Sequence, residues 1–159
     1  MDIEHRYAVH VEWQGNRGSG TSDYRSYGRD NLITAEGNPP IEGSSDKPFR
    51  GSPERWNPEE LLVAALAQCH MLSYLHSAAA HGIVVTAYTD AATGVMAQVG
   101  DGGHFTSVTL HPVVTISAGD PELALALHAE ASANCFIAQS VNFPVLHEPT
   151  FALADDELS

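Results

Sequence analysis

The sequence has no lysine or arginine after position 55, although it contains 20 acidic side chains and has a formal net charge of −13. All seven basic side chains lie in the first 55 residues: Arg6, Arg17, Arg25, Arg29, Lys47, Arg50 and Arg55. Nucleic acids and anionic membrane surfaces are bound by broad basic faces that displace counterions. The charge distribution therefore argues against both partners and favours a small molecule that is uncharged or apolar.

Long apolar runs are also missing. No segment reaches the roughly 18 uninterrupted apolar residues of a membrane span. The first 13 residues alternate charged and apolar side chains and lack the hydrophobic region of a signal peptide. We expect a cytoplasmic protein without a membrane partner, formed by one domain over residues 1–159.

Cysteine is rare, since only Cys69 and Cys135 occur. Two cysteines do not form the disulfide framework of a small secreted protein. The neighbours of Cys69 on a predicted helix are apolar, which disfavours a thiolate and is typical of a buried structural cysteine. The residues thus leave open two interpretations, inert core thiols or a redox pair. A redox role requires a cation from the first 55 residues or from a protonated histidine.

Nine histidines raise the question of a metal site. His70, His76 and His81 share the predicted central helix, but no two of them are four residues apart. No carboxylate or cysteine completes a tetrahedral set with them. We therefore expect neither a metal nor another cofactor.

The pattern of elements predicts an α+β fold. Residues 1–36 favour antiparallel strands, one at 5–13 and a second and third around 21–35, and the glycine turn GNRGSG follows the first. Residues 37–56 are rich in proline, glycine and serine, and we expect a long loop there without regular structure. Residues 57–159 are expected to form a core of helix, β-meander and second helix, ending in a short acidic tail.

The central helix has clear boundaries in the sequence. Asn57 is a predicted N-cap, Pro58 occupies the first helical position, and Gly82 ends the helix. Its apolar side chains cover nearly every face, which is typical of a buried helix. A domain of this size has little material to surround such a helix, so a second chain is expected to help bury it.

The remaining elements follow from alternation and helical spacing. Strands are predicted at 84–91, 94–99 and 105–116, and a second helix from Asp120 to about Cys135. Three-and-four spacing places four residues on the inner face of that helix: Ala124, Leu127, Ala131 and Cys135.

A cation for Cys69 is best supplied by Arg17, because the glycine turn around it lets a guanidinium approach a helix closely. A buried arginine needs a counter-charge, and Glu59 or Glu60 at the start of the helix can supply one. Glu59 and Cys69 are ten residues apart, or about 15 Å along one helix. One arginine can contact both only if two helices cross antiparallel at a two-fold axis, which predicts a homodimer.

The run NPEELLVAALAQC resembles the signature of the OsmC/Ohr family of hydroperoxide reductases, with a glutamate ten residues before the cysteine. GNRGSG is similar to the glycine-arginine turn of the Ohr branch, and ASANCFIAQS carries a second cysteine on the later helix, as in the family. The resemblance covers essentially the whole chain. Several segments look like an OsmC-like branch that is neither classic OsmC nor Ohr.

This resemblance implies an intertwined homodimer with two active sites. It implies four roles: Cys69 as peroxidatic cysteine, Cys135 as resolving cysteine, Glu59 as acidic orienter and Arg17 as catalytic arginine. In the OsmC branch the arginine comes from the loop before the helix, so Arg50 and Arg55 are the alternative candidates.

The implied reaction is reduction of organic hydroperoxides. The Cys69 thiolate attacks the peroxide, an alcohol leaves, and the sulfenic acid condenses with Cys135 to a disulfide. The resemblance implies lipoyl groups or other small dithiols as reductant, and the apolar surroundings of Cys69 favour alkyl or lipid hydroperoxides. The competing hypothesis is a non-enzymatic protein of the same fold that binds an apolar small ligand or lipid and has structural cysteines.

Overall fold

A computed structural model describes residues 1–154, and the last five residues of the acidic tail lie outside the described residues. Clustering of the backbone divides the chain into two compact units, residues 1–62 and residues 63 onward. The single domain over residues 1–159 stays a prediction.

The first unit contains a three-stranded antiparallel sheet in the order β1-β2-β3. Its strands are β1 (His10–Trp13), β2 (Asn31–Thr34) and β3 (Ile41–Gly43), and a short 3₁₀ helix follows at Lys47–Phe49.

Two expectations for this unit are wrong. Residues 21–35 supply only β2, because tight turns occupy the stretch before it, where Ser26 N–H donates to Asp23 O at 3.0 Å. Residues 37–56 were expected to be irregular, yet they contain β3 and the 3₁₀ helix. Backbone pairing with β2, such as Ile33 with Ile41, forms β3 over three residues, too few for a hydrophobic period to be visible.

Helix α1 (Pro58–Ala80) begins and ends where the sequence predicts. The Asn57 side chain accepts a hydrogen bond from Glu60 N–H at 2.8 Å and donates to Glu60 Oε1 at 2.6 Å, which is a reciprocal capping arrangement. Gly82 follows the helix with φ 74°, a left-handed conformation that costs glycine little.

The surface of α1 is less buried than expected. Five of its side chains are buried in the single chain: Leu66, His70, Tyr74, Ser77 and Ala78. Leu72, by contrast, is 56% exposed. One chain therefore does not bury the helix all round, and its burial with the help of a second chain stays a prediction. With a mean hydropathy of 1.2 over 18 residues, α1 is long and apolar enough to cross a membrane, but the core helix of a soluble protein meets the same criterion.

The second unit contains two mixed three-stranded sheets. Its six strands are β4 (Val84–Asp90), β5 (Thr93–Val99), β6 (Gly102–Leu110), β7 (Pro112–Ala118), β8 (Val145–His147) and β9 (Thr150–Leu153). One sheet has the order β4-β7-β9 and the other β5-β6-β8. The expected β-meander is therefore wrong, because β4 pairs with β7 and not with the next strand in the chain. In each sheet, an antiparallel pair is extended by a parallel strand from the C-terminal segment.

The single strand predicted over 105–116 is wrong, since it forms β6 and β7 in different sheets. The chain breaks at His111, whose backbone N–H donates to Asp90 Oδ1 at 2.7 Å instead of to a neighbouring strand. Pro112 then opens β7, a position where its missing N–H is tolerated.

Helix α2 (Pro121–Asn134) matches its prediction closely. The Asp120 side chain caps it by accepting from Glu122 N–H at 3.0 Å. The core of this unit joins α1, α2 and the β4-β7-β9 sheet through buried side chains: Tyr74, Ala78, Ile83, Val114, Ile116, Ala124, Leu127 and Ala131. The predicted inner face of α2 is confirmed, and the α+β fold class with it.

Candidate functional site

The structure brings the two cysteines together. Cys69 lies in the middle of α1 and is half-buried, whereas Cys135 caps the C-terminus of α2 and is only 1% exposed. Both are free thiols, and the Cys69 thiol lies close enough to Cys135 to help raise the pKa of the Cys135 thiol. The two positions that the sequence predicts as a redox pair are therefore adjacent side chains on two different helices.

The environment of Cys135 favours its protonated form. Burial, followed by the adjacent Cys69 thiol, raises the pKa of Cys135 to about 11. The backbone N–H of Ala138 donates to Cys135 Sγ at 3.4 Å and acts in the opposite direction, as does the N–H of Ile137, without overcoming the burial. Cys135 is thus a neutral thiol at neutral pH and, since it is buried, is shielded from solutes.

Cys69 opens onto a cleft of about 600 Å³ whose surface is largely apolar. The lining residues come from α1, α2 and the segment after α2: Cys69, Leu72, Ser73, His76, Ala133, Asn134, Phe136 and Gln139. Phe136 is 76% exposed at this cleft. A volume of this size with apolar walls admits an alkyl or aryl group beside the thiol.

A positive charge for Cys69 is scarce within the second unit. The sequence supplies no lysine or arginine there. His70 and His128 are each 1% exposed, and burial lowers the pKa of His70 to about 4 and that of His128 to about 3. Both imidazoles are therefore uncharged at neutral pH. The lysine and arginine side chains all lie in the first unit, and His76 is the histidine that lines the cleft.

The buried histidines belong to an aromatic stack that sequence reasoning missed. His70 Nε2 and His128 Nδ1 are 3.0 Å apart, and the Tyr74 ring lies 4.1 Å from that of His128. His147 of β8 lies 5.7 Å from His70 between ring centres. The spacing of α2 already puts His128 on its inner face, one residue after Leu127, so the signal was present.

Within residues 1–154, no three histidine, cysteine or acidic side chains are arranged to hold a metal ion.

Arg17 lies in the glycine turn after β1. The Asn16 side chain shapes this turn by accepting from the backbone N–H groups of Gly18 and Gly20 at 2.9 and 3.0 Å. Both glycines adopt positive φ, 116° and 57°, where a side chain would be strained. Arg17 is exposed, and over the described residues 1–154 it makes no ion pair with a carboxylate. The charge of Arg17 nevertheless contributes to the lowered pKa of Asp30, after the hydrogen bond from Ser52, the hydrogen bond from Ser44 and the charge of Arg55.

The alternative arginines differ in how far they are engaged. Arg55 is held by Asp30 at 3.5 Å and by Glu42 at 3.7 Å, with its side chain 21% exposed. Arg50 is exposed and adopts φ 65°, an unfavourable left-handed conformation for a residue other than glycine. Arg50 and Arg17 both line a cavity of about 120 Å³ in the first unit. Arg55 is thus the least available of the three.

Glu59 has a feature that distinguishes it from Glu60. Its Oε2 atom is buried and has no hydrogen-bond partner among residues 1–154. A buried carboxylate oxygen without a hydrogen-bond donor is unfavourable, so a donor to this atom is expected. Glu60 is already used in the cap of α1. The structure therefore favours Glu59 as the available acid; its role and that of Arg17 stay predictions.

Comparison with known proteins identifies the family. The family model described as OsmC-like protein matches residues 51–149, more than half of the chain. An OsmC-like protein of unknown function from Vibrio cholerae is 30% identical, with a TM-score of 0.83 over 92% of this chain and 100% of its own. No curated protein sequence matches.

Two more distant structures share the fold. An organic hydroperoxide resistance protein from Elizabethkingia anophelis, solved with thiocyanate bound, is 18% identical with a TM-score of 0.66 over 96% of this chain and 100% of its own. A Vibrio cholerae protein described as an organic hydroperoxide resistance protein, with captopril in one of its active sites, is 20% identical with a TM-score of 0.67 over 95% of each chain. At these identities the likeness shows the fold alone. From the family match and the 30% identical relative, this chain belongs to the OsmC-like family, which includes hydroperoxide reductases, and it has the α+β fold of that family.

Proposed function

We propose that this protein is a thiol-dependent reductase of organic hydroperoxides, with Cys69 as the peroxidatic and Cys135 as the resolving cysteine. One observation carries the proposal. Two unlinked thiols lie close together, and one of them faces an apolar cleft while the other is buried. Such a pair can react in sequence, because only the exposed thiol meets the substrate.

In the first step, the Cys69 thiolate attacks the distal oxygen of the peroxide. The O–O bond breaks, an alcohol leaves after taking up a proton, and Cys69 becomes a sulfenic acid. We assign the activation of Cys69 to the Arg17 guanidinium, oriented by Glu59. Three observations support this: the second unit has no lysine or arginine, Arg17 has no carboxylate partner in the described chain, and Glu59 Oε2 lacks a donor there.

In the second step, the sulfenic acid condenses with the Cys135 thiol, which gives a disulfide and water. The high pKa of Cys135 keeps it protonated until then, so it does not compete for peroxide. An external dithiol restores both thiols, and family resemblance suggests a lipoyl-bearing one. The apolar cleft favours alkyl or lipid hydroperoxides over hydrogen peroxide.

The active form in this proposal is a homodimer. Exposed apolar residues such as Leu72 on α1 favour coverage by a second chain. Glu59 and Cys69 are separated by ten residues, about 15 Å of helix. Two copies of α1 crossing antiparallel would let one guanidinium serve both.

A second candidate is a carrier of apolar molecules, which the same cleft also supports. Thiol titration before and after one equivalent of cumene hydroperoxide separates the two. A peroxidase loses both of its thiols per chain, whereas a carrier loses neither. In the peroxidase, Cys69→Ser abolishes the loss, and Cys135→Ser retains a single oxidation at Cys69. Unchanged thiol counts in the wild-type protein would rule out the peroxidase.

A further inference from the structure

A buried hydrogen bond joins the two helices that carry the cysteines. His70 Nε2 of α1 and His128 Nδ1 of α2 lie 3.0 Å apart, and the planes of the two rings are nearly parallel, at 7°. Because both imidazoles are uncharged, one ring nitrogen donates and the other accepts. Such a bond is directional, so it restricts how α1 and α2 can rotate and slide against each other.

The bond lies close to the reacting sulfurs. His70 directly follows Cys69, so whatever fixes the rotation of α1 at His70 also fixes the direction of the Cys69 side chain. His128 precedes Cys135 by seven residues, two helical turns, and therefore lies on the same face of α2. Cys135 is tied to α2 by its own backbone N–H, which donates to Ser132 O at 3.4 Å.

Burying two imidazoles costs free energy of desolvation, and filling the core would not require polar side chains at these positions. Two imidazoles lose their hydration when they are buried, and apolar side chains of similar volume would fill the space without that penalty. Satisfied polar contacts in a core instead select one arrangement of its elements. Tyr74 and His147 stack on the pair from α1 and β8 and hold both rings in place.

We propose that the His70–His128 hydrogen bond positions Cys135 for attack on the oxidised Cys69, which makes both histidines positioning residues for disulfide formation. This inference rests on the proposed function. The step it controls is Cys69 sulfenic acid plus Cys135 thiol giving the disulfide plus water; the thiol proton leaves with the water, and no further oxidant is needed. Attack on the peroxide does not require Cys135, so the bond should influence that step far less than disulfide formation.

The test separates the two steps in single-turnover reactions of the full chain with cumene hydroperoxide. Sulfenic acid is followed by trapping with dimedone, and the disulfide by loss of the second thiol. His128→Phe keeps the ring and removes the bond. We expect sulfenic acid formation within about twofold of wild type and disulfide formation slowed about tenfold.

Two further variants distinguish positioning from general destabilisation. Asparagine places a polar atom near the position of Nδ1, so His128→Asn is expected to restore most of the rate. Tyr74→Phe removes a different buried bond between the same helices, from Tyr74 O–H to Ala124 O at 2.8 Å, and should change disulfide formation less than twofold. Equal slowing in His128→Phe and Tyr74→Phe, or an unaffected His128→Phe, would overturn the proposal. His70→Phe and His70→Gln repeat the comparison from α1 if a variant at 128 does not fold.

A second oxidant keeps this test independent of the peroxidase proposal. Oxidised glutathione forms the same disulfide by thiol exchange, without a sulfenic acid. If wild-type protein shows no sulfenic acid, the proposed function fails. Disulfide formation from glutathione that is slower in His128→Phe than in Tyr74→Phe would still support positioning, and equal rates would refute it.

Discussion

The two units of the chain divide the chemistry between them. Residues 1–62 hold all seven basic side chains, and Arg17 and Arg50 are exposed there. The second unit holds both cysteines, the buried histidines and the larger core, but no lysine or arginine. One unit therefore offers charge without sulfur and the other offers sulfur without fixed positive charge. The proposed reaction therefore needs both units, because the fixed positive charges and the thiols lie in different ones.

Acid should affect the second unit most, because His70 and His128 are buried uncharged there. Their pKa values are lowered from 6.5 to about 4 and about 3, so below pH 6.5 the unfolded chain binds protons that the folded chain does not. Stability should fall as the pH drops, by about 3 kcal/mol for His70 alone between pH 6.5 and 4. Urea unfolding across this range measures the loss.

The matched variants for the acid experiment are His128→Phe and His104→Gln. His128→Phe removes one of the two titrating groups, so its stability should depend less on pH, with His147 still facing His70. His104 is exposed on β6, and its replacement should leave the wild-type slope unchanged. Parallel curves for wild type and His128→Phe would contradict the assignment.

Removing the charge from the first unit should lower catalysis without altering the second. Arg17→Gln is expected to reduce kcat/KM for cumene hydroperoxide about 100-fold, because a thiolate and a developing alkoxide lose their cation. Arg25→Gln, an exposed arginine in the same connection, should change it less than twofold. Steady-state kinetics checks both. A larger loss in Arg50→Gln than in Arg17→Gln would move the activating role to Arg50.

The apolar side of the cleft should determine substrate preference. Phe136→Ser is expected to reduce the preference for cumene hydroperoxide over hydrogen peroxide about tenfold, since part of an aromatic contact with the substrate is lost. The ratio of kcat/KM values for the two peroxides measures it. Val99→Ser, on exposed β5, provides the control. An unchanged ratio in Phe136→Ser would place the organic group elsewhere.

Removal of the hydroxyl group should affect stability differently at two tyrosines of the second unit. Tyr88 O–H is buried and has no hydrogen-bond partner among residues 1–154, so Tyr88→Phe should leave stability unchanged or raise it by up to about 1 kcal/mol. Tyr74 O–H donates to Ala124 O, and Tyr74→Phe should lower stability by about 1 kcal/mol. Chemical denaturation of both variants is the measurement, and a loss in Tyr88→Phe would reveal a partner for its hydroxyl.

The features that could be predicted from the sequence are those with local causes. Asn57 and Asp120 mark the helix starts because a capping side chain acts within three residues. The inner face of α2, including buried Cys135, follows from helical spacing. These local signals predict where the two helices begin and indicate Cys69 and Cys135 as a candidate pair.

What could not be predicted depends on partners distant in the chain. The break at His111 depends on Asp90, 21 residues earlier, and the bond from His70 reaches His128, 58 residues later. Spacing shows that a side chain faces inward but not which element it meets. For the same reason, the sequence indicated the histidines only as possible metal ligands or as a source of positive charge, and the pairing of His70 with His128 was missed.

The depth of Cys135 has a consequence for the return half of the proposed cycle. Once the disulfide has formed, an incoming dithiol can reach only the Cys69 sulfur, so the mixed disulfide forms there and Cys135 departs as leaving group. A thiol with a pKa of about 11 leaves slowly unless it is protonated as it departs. In the proposed cycle, peroxide and reductant therefore bind in the same cleft, one after the other. Turnover is then expected to follow ping-pong kinetics, with each substrate inhibiting the reaction of the other when it is in excess.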